Sequence, residues 1–382
     1  MDAAMADAAS VVDASMDVFV TAAHPNAPTV VKSSGSVLTT PKVVVVTFDS
    51  EPLAAQVEAF AQAVGASAYW SATTSEYGVG AAQYAGAVHV ASPPETTISQ
   101  TALEAWLASQ LDGTHPEWPT ADASTIYTIV YPLFDGIEVD DVAPCEGSPA
   151  YHGQITLGSI QVPYAAINRC DPRFGLSGID YVTAGLSHEW IEASTDPFYF
   201  TSPAYQSPAA QYNDWMFATG GELADMCTTT NSVYFQPPDL PYTVQRSWSN
   251  AAALAGHDPC VPAPMGAYFT SAPVMTDTLH GSSGGQAFTS EGVHVGLGQS
   301  VSIPVELFSD AETNATWSVV AQAVPAASLS FMWDATSGQN GDVLNLTVTR
   351  NADDPTLVGV DAFIVTSTLG MRQSAWVGAV GD

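Results

Sequence analysis

The stretch KVVVVTF, Lys42–Phe48, decides the fold class of this chain. After its first residue it is almost continuously β-branched and apolar, which is typical of a strand that is buried on both faces of a sheet. The following segment, LAAQVEAFAQAV (residues 53–64), repeats its apolar residues at helical spacing. A buried strand that leads into an amphipathic helix is the first unit of an α/β arrangement.

The alternation of strands and helices continues along the chain. GAVHVAS (86–92) predicts a second strand, and ISQTALEAWLASQL (98–111) predicts a second helix with Ser99 as its N-terminal cap. Two more apolar runs predict further strands: STIYTIVYPLF (124–134) and QVPYAAINRC (161–170). This order predicts an α/β domain with a mixed sheet over residues 23–264.

The character of the sequence changes after the linker that contains Pro262 and Pro264. The remainder has no helical pattern and consists of short apolar runs separated by polar turn clusters such as SGQNGD (337–342). The runs that predict strands are GVHVGLGQSVSIPVEL, TWSVVAQAV, SLSFMWDA, DVLNLTVTR and DAFIVTS. Regularly spaced strands of this kind predict an all-β antiparallel sandwich over residues 265–382, an accessory domain that would bind a surface or support the first domain.

The charge of the chain argues against several classes of partner. It has 7 basic and 39 acidic residues, which gives a formal net charge of -32. Nucleic acids and anionic membrane surfaces are bound by clusters of Lys and Arg, so neither is expected as a partner. No apolar run reaches the length of a membrane span, so membrane insertion is not expected either. Cations are different, because a negative field concentrates them and carboxylates are oxygen ligands.

The beginning of the chain is acidic and of low complexity. MDAAMADAASVVDASMDVF lacks the basic start of a signal peptide. We interpret residues 1–22 as an acidic, Asp/Ala-rich tether that remains after removal of an export signal, with an acidic amphipathic helix as the alternative. A tether of this kind leaves open a lipid-tethered precursor, and the expected location is secreted or at the cell surface.

The chain has four cysteines, Cys145, Cys170, Cys227 and Cys260. None of them shows the C-x-x-C spacing of a zinc knuckle or a thioredoxin-type site. An even number of cysteines in an exported chain favours two disulfides, for which three connectivities are possible. We favour pairing the first cysteine with the second and the third with the fourth, because these bonds close local loops.

The segment GLSHEWIEASTDPF (185–198) contains H-E-x-x-E where a zinc protease has H-E-x-x-H. Its apolar spacing predicts a half-buried helix that Pro197 ends. His188 and Glu192 are four residues apart, so they share one helix face at a spacing suited to two ligands of a tetrahedral metal ion. Glu189 is rotated off that face, as is the general base that takes a proton from the attacking water in metalloproteases.

A third metal ligand must come from another segment. GGELADMC (220–227) offers Glu222 and Asp225, and YHG offers His152, seven residues after Cys145. Taken singly, Glu222 is explained as a solvated turn residue and His152 as a loop imidazole that is hydrogen-bonded to backbone, so neither residue alone indicates a metal site.

Four motifs occur in this order: C-x6-H at 145–152, SHEWIEASTDP at 187–197, GELADMC at 221–227 and YTVQRSWSN at 242–250. In this combination the chain resembles the EXORDIUM-like, phosphate-induced protein family of plants and its secreted bacterial relatives. The resemblance covers about residues 41–261. It implies secretion and locates a site, but it does not name a reaction. Trp190 and Ile191 depart from the small and aliphatic residues usual in the family, so the substrate class does not carry over.

Two functions fit these residues. The first is a secreted zincin-like metallohydrolase, a zinc peptidase that acts on a peptide or extracellular polymer, with Glu189 as its base. The zinc ligands would be His188 and Glu192 with one of Glu222, Asp225 and His152. The alternative is a non-catalytic extracellular binding or adhesion protein in which the same residues form a structural metal site or a hydrogen-bond cluster. Calcium is the alternative cation, although an imidazole ligand favours zinc.

Overall fold

The computed structural model describes residues 19–133, 135–139, 142–325, 327–354 and 357–382. Most of the expected tether, residues 1–18, therefore lies outside the described residues. Within the described residues, helices and sheets are mixed up to about residue 261, and strands alone follow.

The α-helices of the described chain are α1 (Ala54–Val64), α2 (Ala68–Thr74), α3 (Gln100–Gln110), α4 (Gly178–Thr195), α5 (Asn213–Thr219) and α6 (Asn250–Leu254). The strands of the mixed region are β1 (Lys42–Phe48), β2 (Gln83–Val90), β3 (Thr97–Ser99), β4 (Thr125–Val130), β5 (Gly136–Glu138), β6 (Ala150–Leu157), β7 (Ile160–Ile167), β8 (Tyr234–Phe235), β9 (Val244–Gln245), β10 (Ser247–Trp248) and β11 (Cys260–Val261). The predicted cap of α3 is present, because the Ser99 hydroxyl oxygen accepts a hydrogen bond from the Ala102 backbone N–H.

The main sheet of this region has the strand order β2-β1-β4-β7-β6. The first four strands are parallel, and β6 pairs antiparallel with β7 at the edge. Strand β1 is buried on both faces, as its sequence predicts: Val43 and Val45 face the core that contains α1 and α4, and Val44 and Val46 face the core that contains α3. The sheet is therefore mixed and covered by helices on both sides.

Helix α4 is the element that positions the candidate site. It lies against the sheet through Trp190, whose ring stacks on that of Phe60 with 5.4 Å between the ring centroids and whose indole N–H donates to the Thr128 hydroxyl. The helix ends at Thr195, and Asp196 separates it from Pro197, the residue that the sequence predicts to end it. Because α4 packs beside β6 and β7, its polar face meets side chains from the antiparallel edge of the sheet.

The strands of the C-terminal region are β12 (Phe269–Pro273), β13 (Asp277–Ser283), β14 (Gln286–His294), β15 (Ser300–Ser309), β16 (Trp317–Val324), β17 (Leu329–Trp333), β18 (Ser337–Gly338), β19 (Val343–Arg350), β20 (Leu357–Val358), β21 (Val360–Leu369) and β22 (Arg372–Gly381). They form a four-stranded sheet, β12-β15-β19-β17, and a seven-stranded sheet, β18-β16-β21-β22-β14-β13-β20. Apolar residues of both sheets share one core, for example Val305 and Leu346 with Phe363.

The pairing in this region is largely antiparallel, with one parallel contact between β14 and β22 at Val293 and His294. The long run predicted at residues 292–307 is divided between β14 and β15. Gly298 lies in the turn between them with φ +74°, a backbone conformation that favours glycine.

The mixed region and the β region pack against each other. Trp215 of α5 contacts Trp248 of β10 and Trp376 of β22, with ring centroids 5.4 and 5.9 Å apart. The backbone N–H of Gln373 also donates to the Ser232 hydroxyl. The two regions on either side of the predicted boundary at residues 264 and 265 therefore share an apolar contact.

The two disulfides have the predicted connectivity, Cys145–Cys170 and Cys227–Cys260. Disulfides of this kind are consistent with an extracellular location. Among the residues that the structure describes, none of the helices combines the length and the hydropathy needed to cross a membrane.

Candidate metal centre

The sequence candidates converge on one buried cluster that draws on three segments. His152 lies on β6 opposite Ala165 of β7, and is therefore on a strand and not in a loop. His188, Glu189 and Glu192 project from α4. The third segment is the loop and 3-10 turn that carry Glu222 and Asp225.

His188 forms the shortest imidazole–carboxylate contact of the cluster. Its Nε2 lies 3.0 Å from Glu192 Oε2, 3.5 Å from Asp225 Oδ1 and 3.9 Å from Glu189 Oε1. Its Nδ1 lies 2.9 Å from the side-chain nitrogen of Gln245. The first pair is the i, i+4 pair that the motif predicts.

His152 lies at longer distances from its neighbours. Its Nδ1 is 3.6 Å from Glu189 Oε2 and 3.7 Å from Glu192 Oε2. Its Nε2 is 3.6 Å from Glu222 Oε1. These separations exceed a hydrogen bond, although the His152 side chain is only 4% exposed.

Backbone groups hold the shared carboxylate in place. Glu192 Oε1 accepts hydrogen bonds from the backbone N–H groups of Ala224 and Asp225, which leaves Oε2 for the two imidazoles. The Ser187 hydroxyl oxygen accepts from the backbone N–H of Gln245, so β9 is also fixed against α4. The cluster is thus built on a hydrogen-bonded frame that joins α4, β9 and the 222–225 segment.

Several polar atoms in and beside the cluster are buried without a hydrogen-bond partner. Those of the cluster are His152 Nε2, Glu189 Oε2 and Glu222 Oε1, and those of sequence neighbours of its members are Tyr151 Oη and Asp196 Oδ2. A buried polar group without a partner is costly, and native proteins satisfy nearly all of them. A cation among the carboxylate and imidazole atoms would satisfy several of these groups at once.

Burial and mutual repulsion shift the pKa values of the cluster. Burial raises the pKa of Glu222 and Asp225 well above the ordinary range, and the charge of Glu192 raises both further. Burial also opposes ionisation of Glu192, but His188, His152 and the backbone N–H of Asp225 together outweigh it and lower the pKa of that carboxyl. Burial alone would lower the pKa of His188, whereas the charges of Glu192 and Glu189 raise it well above its usual value. The cluster therefore attracts positive charge, as protons or as a cation.

The donor set fits a metal ion. Two triads each place one ligand atom per residue within 4.8 Å of the others: His152 with Glu189 and Glu192, and His188 with Glu192 and Asp225. Imidazole nitrogen with carboxylate oxygen is a donor set that zinc accepts. Glu192 belongs to both triads, so the second Glu of H-E-x-x-E is the centre of the cluster.

Two pockets adjoin this cluster. One, of about 180 Å³, is lined by the cluster itself with Tyr199 and Phe200. The other, of about 210 Å³, has a largely apolar lining that includes Ile167, Phe174, Leu176, Tyr181 and Tyr234. His188, Glu189 and Asp225 belong to both linings, so the apolar pocket opens directly beside the charged groups.

Sequence reasoning did not identify Gln245 as a site residue. Its side-chain nitrogen donates to the Ala224 carbonyl oxygen and contacts His188, so it connects two segments of the cluster. Gln245 lies within YTVQRSWSN, and a polar glutamine on a short apolar strand was the feature of the sequence that could have indicated its role.

No protein-family model matches the sequence, and the comparison with curated proteins found no match. Solved structures of a surface-layer protein, SbsC, show a weak similarity. Domains 4 and 5 of SbsC match at 17% identity with a TM-score of 0.18, over 29% of this chain and 54% of that one, so the chain spans about half of that structure. SbsC domains 1–6 match at 18% identity with a TM-score of 0.18, over 28% of this chain and 13% of that one. TM-scores this low do not establish a common fold.

Proposed function

We propose that this protein is an extracellular metal-dependent hydrolase of zincin-like architecture, a peptidase, and a secreted relative of the EXORDIUM-like family. The observation that carries the proposal is the cluster on α4. There two imidazoles and three further carboxylates lie around Glu192, and several buried polar atoms lack hydrogen-bond partners.

The residues of the cluster can meet the requirements of hydrolysis. A bound zinc ion would supply a fixed positive charge that polarises a carbonyl group and makes water more acidic. Glu192 is pre-oriented by two backbone N–H groups and needs little reorganisation to act as a ligand. A carboxylate of the cluster that is not a ligand can accept a proton from the attacking water. A protonated imidazole can donate its own proton to the leaving group, and transfer of the proton from the carboxyl to the imidazole then restores both groups.

The apolar pocket supports a peptide as substrate. A peptide that places its scissile carbonyl at the cluster can direct a neighbouring side chain into the pocket lined by Leu176, Tyr181 and Tyr234. The buried surface of such a side chain contributes about 1.5–3 kcal/mol to binding. We therefore expect preference for a large apolar residue next to the cleaved bond.

The test combines metal analysis with a cleavage assay. Purified wild type and Glu192→Gln are offered zinc, dialysed and analysed for bound metal, and both are incubated with a mixture of peptides that differ in apolar and charged residues. We expect about one zinc per wild-type chain, little in the variant, and cleavage that a chelator removes and zinc restores.

Two results would contradict the proposal in different ways. Wild type without zinc would exclude the metal centre. Bound zinc without cleavage of any peptide would favour the non-catalytic alternative, an extracellular binding protein in which the cluster is a structural site.

A further inference from the structure

We infer that the cation occupies the His152 side of the cluster, between His152, Glu189 and Glu192, and that His188 is not a ligand. This inference rests on the proposed metal centre and assigns its ligands. It changes the role that the H-E-x-x-E motif suggests for Glu189, from general base to ligand.

Both nitrogens of His188 are already engaged. The Gln245 side-chain nitrogen is anchored by donating to the Ala224 carbonyl, and because an amide nitrogen only donates, its second hydrogen points at His188 Nδ1. An Nδ1 that accepts a hydrogen bond leaves the proton of a neutral ring on Nε2. This proton faces Glu192 Oε2, which lies 3.0 Å from Nε2, a hydrogen-bond distance, so Nε2 has no free lone pair for a metal.

His152 shows the opposite pattern. Its Nδ1 is 3.6 and 3.7 Å from carboxylate oxygens of Glu189 and Glu192, too far for hydrogen bonds. A tetrahedral zinc ion with bonds of about 2.1 Å holds its ligand atoms about 3.4 Å apart. Glu189 Oε2 is also buried without a partner. The spacing and the unsatisfied oxygen are both as expected for side chains that bind the same ion.

Glu222 completes this arrangement from the other side of the ring. Its Oε1 lies 3.6 Å from His152 Nε2, and both atoms are buried without a hydrogen-bond partner. If these two atoms moved slightly closer, His152 Nε2–H would donate a hydrogen bond to the Glu222 carboxylate. This bond would keep the proton on Nε2 and leave the lone pair of Nδ1 free for the metal. Metal-bound histidines commonly have such a carboxylate partner. Glu222 is thus a positioning residue.

His188 and Asp225 are then free for proton transfer. Their side chains are 3.5 Å apart at Nε2 and Oδ1 and belong to the linings of both pockets. A substrate in the apolar pocket would meet these two groups beside the ion.

The test compares zinc affinity in three variants of the full chain with intact disulfides. His152→Ala and Glu189→Gln each remove a ligand and should weaken zinc binding by about 100-fold or more, since even loss of an outer partner weakens binding by about 10–100-fold. His188→Gln keeps a side-chain N–H donor towards Glu192 and should retain zinc within about threefold of wild type. Circular dichroism and thermal unfolding identify any variant that does not fold, and Glu189→Gln alone decides if His152→Ala fails.

The H-E-x-x-E motif, with His188 as a ligand and Glu189 as the base, makes the reverse prediction for these two residues, so the outcomes separate. Zinc lost in His188→Gln, or retained in Glu189→Gln and His152→Ala, would overturn the inference while leaving a metal-dependent hydrolase intact. Wild type that binds no zinc would instead remove the proposed function on which the inference rests.

Discussion

Two of the buried charged clusters, one around Arg350 and one on α4, are neutralised in different ways. In the C-terminal β region, Arg350 is fully buried, and its guanidinium binds Asp361 at 2.7 Å, Asp353 at 2.8 Å and Asp382 at 2.9 Å. In the α4 cluster, the ion pairs found among the described residues join only imidazoles to carboxylates, such as His188 with Glu192.

The difference indicates what each cluster is for. A guanidinium is a permanent part of the chain and never dissociates, so the Arg350 cluster is suited to holding strands together. A cluster without such a group must take its positive charge from solvent, and that charge can be exchanged and can interact with a bound molecule. The Arg350 cluster, with its fixed cation, is suited to a structural role, and the α4 cluster, which has no fixed cation among its described ion pairs, is the candidate for chemistry.

The largest effect is expected from removing the fixed cation. Arg350→Met leaves Asp361, which is fully buried, without its partner, and we expect a loss of about 3–5 kcal/mol in the free energy of unfolding. Urea denaturation without reductant measures it. Asp353→Asn, at an exposed carboxyl, is the matched control and should change stability by less than about 1 kcal/mol. Equal effects of both variants would show that the guanidinium does not hold this region together.

Asp214 in α5, a buried carboxyl outside both clusters, tests neutralisation by a proton. Burial raises its pKa to about 7, and the charge of nearby Glu291 adds to this shift, whereas the hydrogen bond that the Ser290 hydroxyl donates to Oδ1 opposes it. The folded chain therefore holds a proton here that the unfolded chain releases near pH 4. Stability should fall as the pH rises from about 4 to 7, by on the order of 3 kcal/mol.

The measurement for Asp214 is the urea midpoint at a series of pH values. Asp214→Asn cannot ionise, so the fall between pH 4 and 7 should be reduced in this variant. An identical pH profile in wild type and variant would mean that Asp214 does not carry the buried proton.

Bound zinc should neutralise the α4 cluster and stabilise the folded chain, as the guanidinium does in the Arg350 cluster. An ion that binds only the folded chain stabilises it by about 2.7 kcal/mol at a hundred times its dissociation constant. The shift in the thermal unfolding midpoint should be present in wild type and absent in Glu192→Gln, which loses the carboxylate shared by both triads. A similar shift in the two proteins would place zinc elsewhere.

The smallest effect is expected where a charge pair is solvated. Lys42 Nζ lies 2.6 Å from Asp122 Oδ2, but the side chains are 38% and 45% exposed. We expect Lys42→Met to change the free energy of unfolding by less than about 1 kcal/mol, measured as for Arg350→Met. A loss comparable to that of Arg350→Met would show that burial is not what separates the two pairs.

Elements with strong local patterns could be predicted from the sequence. The valine run gave β1, the helical spacing and Pro197 gave α4 with its end, and the close cysteine pairs gave the disulfides. Helix α2 was not predicted, since AYWSATT is short and aromatic, although Ser67 caps it by accepting from the Trp70 backbone N–H.

The candidate site was predictable as a set of residues but not as an arrangement. The helical period places His188 and Glu192 together, whereas the position of His152 depends on the register between β6 and β7. The role of Gln245 depends on which atoms of its amide face Ala224 and His188, and this is decided by tertiary contacts alone.

The two disulfides influence when the cluster can form. Cys227 lies two residues after Asp225 and is bonded to Cys260, and Cys145 precedes His152 and is bonded to Cys170. In a reducing compartment these bonds stay open, so two of the three segments that form the cluster are less restrained. We therefore expect metal to be acquired after oxidation. A protein matured in this order takes its ion from the surroundings in which it works, and it competes little for the metal supply of the cell that makes it.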